Sequence, residues 1–198
     1  MKRKVLVILS GLLFAGLLIA GCGVGKVPFA DKASGFESTP EINQQAADEA
    51  RKAVDEAEKA FKDADAQVNA IFAIPASGDR LAFVKSKKSL FESAGDQYRV
   101  AQDKFELAAT KYDEAMNGKK YWDSGLHCMF KLLGEAYREW AELADTQIRL
   151  CQEAINIKDV KSFAGKTSEL ETKSKRLNGI VDQKIKSARS CGSADVKK

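Results

Sequence analysis

Histidine is nearly missing from this chain, whose 198 residues include only His127. A lone imidazole excludes the paired Glu-x-x-His ligands of di-iron helical bundles. Without a Cys-x-x-Cys-His run there is no attachment point for a c-type haem. Proline is as scarce, at three residues, and glycine reaches only 14. Neither collagen nor a Pro- or Gly-rich disordered chain has that composition. No apolar run attains the roughly 20 residues that a membrane-spanning helix needs. The longest, from Val5 to Ala20, is sixteen mostly apolar residues. A dominant charge is lacking too, with 32 Lys plus Arg against 28 Asp plus Glu.

What is present at the N-terminus is ordered. Lys2, Arg3 and Lys4 precede the apolar run, and Ile19-Ala20-Gly21-Cys22 follows from its end. A basic start, a short apolar stretch and small residues before a cleavage point make residues 1–21 a signal peptide. The last four residues resemble the lipobox of bacterial lipoproteins: a branched aliphatic, two small residues, then the cysteine. This resemblance covers 22 of the 198 residues. It implies that Cys22 carries acyl chains such as palmitate and becomes the new N-terminus. Gly23 stands where an Asp retains such lipoproteins at the inner membrane, so the resemblance implies the periplasmic face of the outer membrane in a diderm envelope. Removing the three leader bases from 32 leaves 29 against 28 acids, a formal +1. That balance supplies no basic face for nucleic acid. Gly23, Gly25 and Lys26 have the wrong spacing for a phosphate loop, and no Ser or Thr follows the lysine. Residues 22–39 read as a lipidated flexible tether, and the 17 residues after Cys22 have an r.m.s. reach of roughly 20 to 25 Å.

From Pro40 onward apolar residues recur at steps of three and four, which predicts helix throughout. Thr39-Pro40-Glu41 supplies a cap, a first-turn proline and an acid for the first helix. Its buried line is Ile42, Ala46, Ala50, Ala53, Ala57, Ala60, Ala64, Val68 and Ile71, and so much alanine implies close helix contact. Ile74-Pro75-Ala76-Ser77-Gly78-Asp79 ends it, with Asp79 as the next cap. The second helix has the most regular seam: Phe91, Ala94, Tyr98, Ala101, Phe105, Ala108, Tyr112 and Ala115, suited to knobs-into-holes packing. It stops at Asn117-Gly118. A third, from about Asp123 to Ile157, has the widest apolar face, and Asp159 caps a fourth that runs to about Ser190 on Val160, Phe163, Leu170, Leu177, Val181, Ile185 and Ala188. The expectation is an all-α, long, antiparallel up-down-up-down four-helix bundle over residues 40–190 with coiled-coil-like packing, followed by a tail over 191–198. A three-helix bundle with the alanine-rich first helix loosely attached is the alternative. Residues 40–74 hold eight acids and four bases, whereas residues 159–190 hold four acids and eight bases. On charge, helices one and four are expected side by side.

Cys128, Cys151 and Cys191 remain once Cys22 is acylated. A hairpin turning near residues 158 and 159 sets Cys191 opposite about residue 126, so Cys128 and Cys191 are expected to form a disulfide. Cys151 falls on the apolar seam and reads as a buried small residue. His127, Cys128 and Cys191 have zinc-ligand chemistry, but adjacent helical residues diverge by about 100°. The carboxylates fall on solvent faces and His127 is the one ordinary base for a nucleophile, so neither an enzyme nor a metal or other cofactor is expected.

The sequence therefore points to a non-catalytic, lipid-anchored envelope protein, an adaptor or spacer that binds another envelope protein or the cell wall. The alternative is a periplasmic small-ligand binder, since Lys87, Gln147, Thr167 and Ser174 interrupt the seams. At the bundle end nearer the membrane, Lys119, Lys120, Tyr121 and Trp122 combine cations and amphipathic rings suited to lipid headgroups, or the rings cap the core. At the far tip, Phe72, Ile74, Pro75, Leu81 and Phe83 form an apolar cluster expected to meet the partner, unless Phe72 and Phe83 fold back to close the bundle.

Overall fold

The computed structural model describes residues 43–73, 79–116 and 124–191, and every regular element among them is an α-helix. These are α1 (Gln44–Ala73), α2 (Arg80–Ser86), α3 (Lys88–Met116), α4 (Ser124–Ile155) and α5 (Val160–Cys191). The four long helices have 29 to 32 residues, or about 44 to 48 Å at 1.5 Å per residue. The leader, Cys22 and the tether lie outside the described residues, as do Thr39-Pro40-Glu41, Ile42 and Asn117-Gly118.

Short polar side chains start the helices by accepting from backbone N–H groups that have no partner in the first turn. Asn43 Oδ1 accepts from Ala46 N at 3.1 Å, Asp79 Oδ1 from Leu81 N at 2.9 Å, and Asp159 Oδ1 from Ser162 N at 2.7 Å. The expected second helix is two helices rather than one. Lys87 leaves helical geometry at φ −101°, ψ 12°, and its N–H bonds to Val84 O. The stretch Lys85-Ser86-Lys87-Lys88-Ser89 has no seam residue to hold it on the core. Ser86 Oγ also donates to Phe83 O at 2.7 Å, a local bond that competes with regular helix.

Packing proceeds from one helix to the next. Glu49 pairs with Lys111 at 3.0 Å, Glu56 with Lys104 at 2.5 Å, and Asp65 with Tyr98 at 2.5 Å. Partner numbers fall as the α1 number rises, so α1 and α3 are antiparallel. The α3–α4 pair is antiparallel on the same reasoning, with Phe105 5.4 Å from Trp140 and Tyr112 5.6 Å from Phe130 between ring centroids. So is α4–α5, where Glu135 meets Lys184 at 3.3 Å, Glu142 meets Lys173 at 2.9 Å and Glu153 meets Lys166 at 2.8 Å.

Extended backbone contact joins α1 to α3, α3 to α4 and α4 to α5, whereas α1 and α5 share no such face among the described residues. This corrects the expectation, drawn from charge, that the first and last long helices are neighbours. The acids of α1 are met by Lys104 and Lys111 of α3, and the bases of α5 by Glu135, Glu139, Glu142 and Glu153 of α4. Each charged helix is neutralised by the neighbour its loop already supplies.

The alanine line of α1 is buried throughout, with Ala50, Ala57 and Ala64 fully so. The first helix is thus firmly seated, although α1 and α5 each have one extended backbone neighbour and stand at the two ends of the row. All eight residues of the α3 seam are buried as expected. On α5, Leu177, Val181, Ile185 and Ala188 are buried, but Val160 is 38% exposed at the helix start. At Gly134 α3 lies close against α4, since a Cβ there would be 3.1 Å from Asp113 Oδ1 and 3.5 Å from Ala109 O.

Candidate functional site

Two places bring chemistry-bearing side chains together: the end of the α4–α5 hairpin and a polar layer inside the helices. At the hairpin end Cys128 and Cys191 form a disulfide with Cα atoms 5.8 Å apart, closing a sequence separation of 63 residues. Antiparallel helices joined by a short turn place equidistant residues opposite each other, which is why the register could be read from the turn position. Among the described residues no group of three His, Cys, Asp or Glu is placed to hold a metal ion.

The interior layer begins with Phe61, which touches three rings. Its centroid is 5.1 Å from Tyr98, 5.5 Å from Trp140 and 6.4 Å from Phe105. One turn further along α1, Asp65 is half-buried and accepts the Tyr98 hydroxyl proton at 2.5 Å. Burial raises the Asp65 carboxyl to about 7, and the Tyr98 hydrogen bond only partly opposes that rise. A carboxylate removed from water loses solvation that one hydroxyl does not replace. Cys151 of α4 is at the same level, since a Cβ on Gly95 of α3 would meet Cys151 Cβ at 3.6 Å. Its thiol is buried and pushed up to about 12, chiefly by that burial. A thiol held protonated is a poor nucleophile. One turn before Cys151, buried Gln147 donates to Ser174 Oγ of α5 across a long 3.5 Å hydrogen bond.

Each long helix therefore contributes a polar group to this region: Asp65, Tyr98, Gln147 with Cys151, and Ser174. All four seam interruptions noted in the sequence have buried or capping roles. Gln147 and Ser174 bond each other, Thr167 donates to Ala164 O at 3.2 Å, and Lys87 Nζ lies 5.7 Å above the Phe83 ring at the helix break. Among the described residues two buried side-chain polar atoms have no hydrogen-bond partner, Trp140 Nε1 and Gln67 Oε1.

Of the tip residues, Leu81 and Phe83 are half-buried and pack against the hydrophobic core. Ile74, Pro75 and the Phe72 side chain lie outside the described residues, as do Lys119, Lys120, Tyr121 and Trp122. Sequence reasoning missed Phe61 and Asp65. The signal was there: Ala47, Val54, Phe61 and Val68 form a heptad line beside the alanine line, and the first three are buried with Val68 partly so. No protein-family model matches the chain, and no curated protein or solved structure is significantly similar to it.

Proposed function

We propose that the protein is a non-catalytic, lipid-anchored component of a bacterial cell envelope, an adaptor or spacer that holds a stiff helical body near the membrane for another envelope protein or the cell wall. The observation that carries this reading is the order of basic residues, apolar run and Ile19-Ala20-Gly21-Cys22 at the N-terminus. The described part fits such a role. No described helix is long and apolar enough to cross a membrane, so acyl chains on Cys22 are the attachment this reading requires. The long helices are arranged up and down as a bundle open along its α1–α5 edge, about 44 to 48 Å in length by helical rise. Gly23 favours the periplasmic face of an outer membrane.

Replacing Cys22 with Ala tests the anchor. The substituted protein is expected in the soluble fraction after cell lysis and separation of membranes. Tight membrane association of the Cys22→Ala protein would sink the reading. Pull-down with the intact lipidated protein then identifies the partner. The unpartnered, buried Trp140 Nε1 supports a second reading, a periplasmic small-ligand binder using the bundle interior. A thermal-shift screen of small metabolites separates the two, because an adaptor shows no ligand-dependent rise.

A further inference from the structure

We propose that the Cys128–Cys191 bond is a redox-controlled latch on α5, and that its reduction releases α5 from α4 while α1, α3 and α4 stay packed. Among the described residues, the seven rings whose mutual contacts are resolved, Phe61, Tyr98, Phe105, Tyr112, Phe130, Tyr137 and Trp140, all belong to α1, α3 and α4. None comes from α5. Like α1, that helix has one extended backbone contact, here with α4, but its buried line is narrow and interrupted by Thr167 and Ser174, whereas that of α1 is buried throughout. The ion pairs beside the line are solvent-accessible, and such pairs contribute little. Two covalent features define the ends of α5: the turn before Asp159 and the disulfide at Cys191, the last residue of the helix. Opening the second leaves a helix of 32 residues held from one end by a weak seam.

Cys128 and Cys191 are both half-buried at the end of the helices, not sealed in the core as Cys151 is. A dithiol reductant supplies two electrons and two protons, the S–S bond becomes two thiols, and the dithiol closes to its own disulfide. The α4 face then uncovered is apolar. Leu132, Ala136, Leu143 and Leu150 share the side of α4 that carries Cys128, Glu139 and Gln147, whose partners are on α5. The latch thus changes what the body presents without disturbing the aromatic core, and it stands whichever partner the protein serves.

Cys151 is a reporter already in place, since it is buried on α4 against Gly95 of α3. The full mature chain is treated with dithiothreitol, pulsed with iodoacetamide, and compared with the oxidised form by hydrogen exchange. Amide protection over residues 177–191 is expected to fall at least tenfold, with α1 and α3 unchanged, Cys128 and Cys191 alkylated, and Cys151 unreacted. Bridging the two reduced thiols with dibromobimane should restore protection, and the Cys128→Ser protein should behave as reduced without any reductant. Unchanged protection of α5 after reduction overturns the proposal. So does loss of protection in every helix together with alkylation of Cys151, which would make the bond a general staple.

Discussion

The part built from α1, α3 and α4 and the hairpin of α4 with α5 are joined through a shared helix, yet they are held together by different means. In the first, small residues bring backbones close and aromatic rings fill what remains: Ala94, Ala101, Ala108 and Ala115 alternate with Phe91, Tyr98, Phe105 and Tyr112 along α3, and all are buried. Each buried ring removes about 150 to 250 Å² from water, so this part rests on area and shape. In the second, α5 brings Leu177, Val181, Ile185 and Ala188 to a narrow line, flanked by Lys166, Lys173 and Lys184 reaching acids of α4. Here charge pairs and a disulfide define which residue stands opposite which. Position and cohesion are separable properties, and this chain assigns them to different helices.

The largest expected contrast comes from one core deletion in each part. Phe61→Ala removes a ring that touches Tyr98, Phe105 and Trp140 and should cost about 3 to 5 kcal/mol in chemical denaturation. Leu177→Ala should cost about 2 to 4 kcal/mol, with faster hydrogen exchange confined to α5. Equal, global effects of the two would erase the contrast.

A smaller effect is expected from Asp65, and it has a definite sign. Its carboxyl is raised from 3.8 to about 7 in the folded chain, so between those values the folded state holds a proton that the unfolded state has released. Stability is therefore highest at the acid side of that window, falls as pH rises toward 7, and then levels. Discounted for its partial exposure, the change is about 1 to 3 kcal/mol. Asp65→Asn should flatten the dependence of melting temperature on pH between 4.5 and 7.5, and an unchanged slope would place the titration elsewhere. Least of all is expected from Lys184→Ala, which breaks contacts to Glu135 and Glu139. Its cost should be about 0.2 to 1 kcal/mol and fade with added salt, as measured by denaturation in low and high sodium chloride.

Much of this division was legible in the residues themselves. The three-four spacing marks the α3 seam because burial on one helical face requires that period, and Asp79 and Asp159 cap where a short carboxylate precedes an apolar-periodic run. The hairpin register followed from one turn position. Net charge misled because it ignores the nearest available counter-charges, here on α3 and α4. The break at Lys87 depends on what a polar stretch lacks, a feature that a search for apolar spacing passes over. Asp65 looked like another surface acid, since its depth is set by Phe61 and Tyr98 and by how closely the alanines let α1 approach α3.

The neighbour-to-neighbour order of the helices has a kinetic consequence. Extended contacts join helices that are consecutive among the long ones, so the chain need not bring its two ends together to bury its core. Topologies dominated by sequence-local contact fold fast, because little loop-closure entropy precedes each gain. A chain emerging N-terminus first can add one hairpin at a time onto a surface already made. Cys191 arrives late, at the end of α5, the last of the described helices. Its bond to Cys128 can therefore form in native register only after α5 has paired along the length of α4, which makes oxidation a marker that this hairpin is complete.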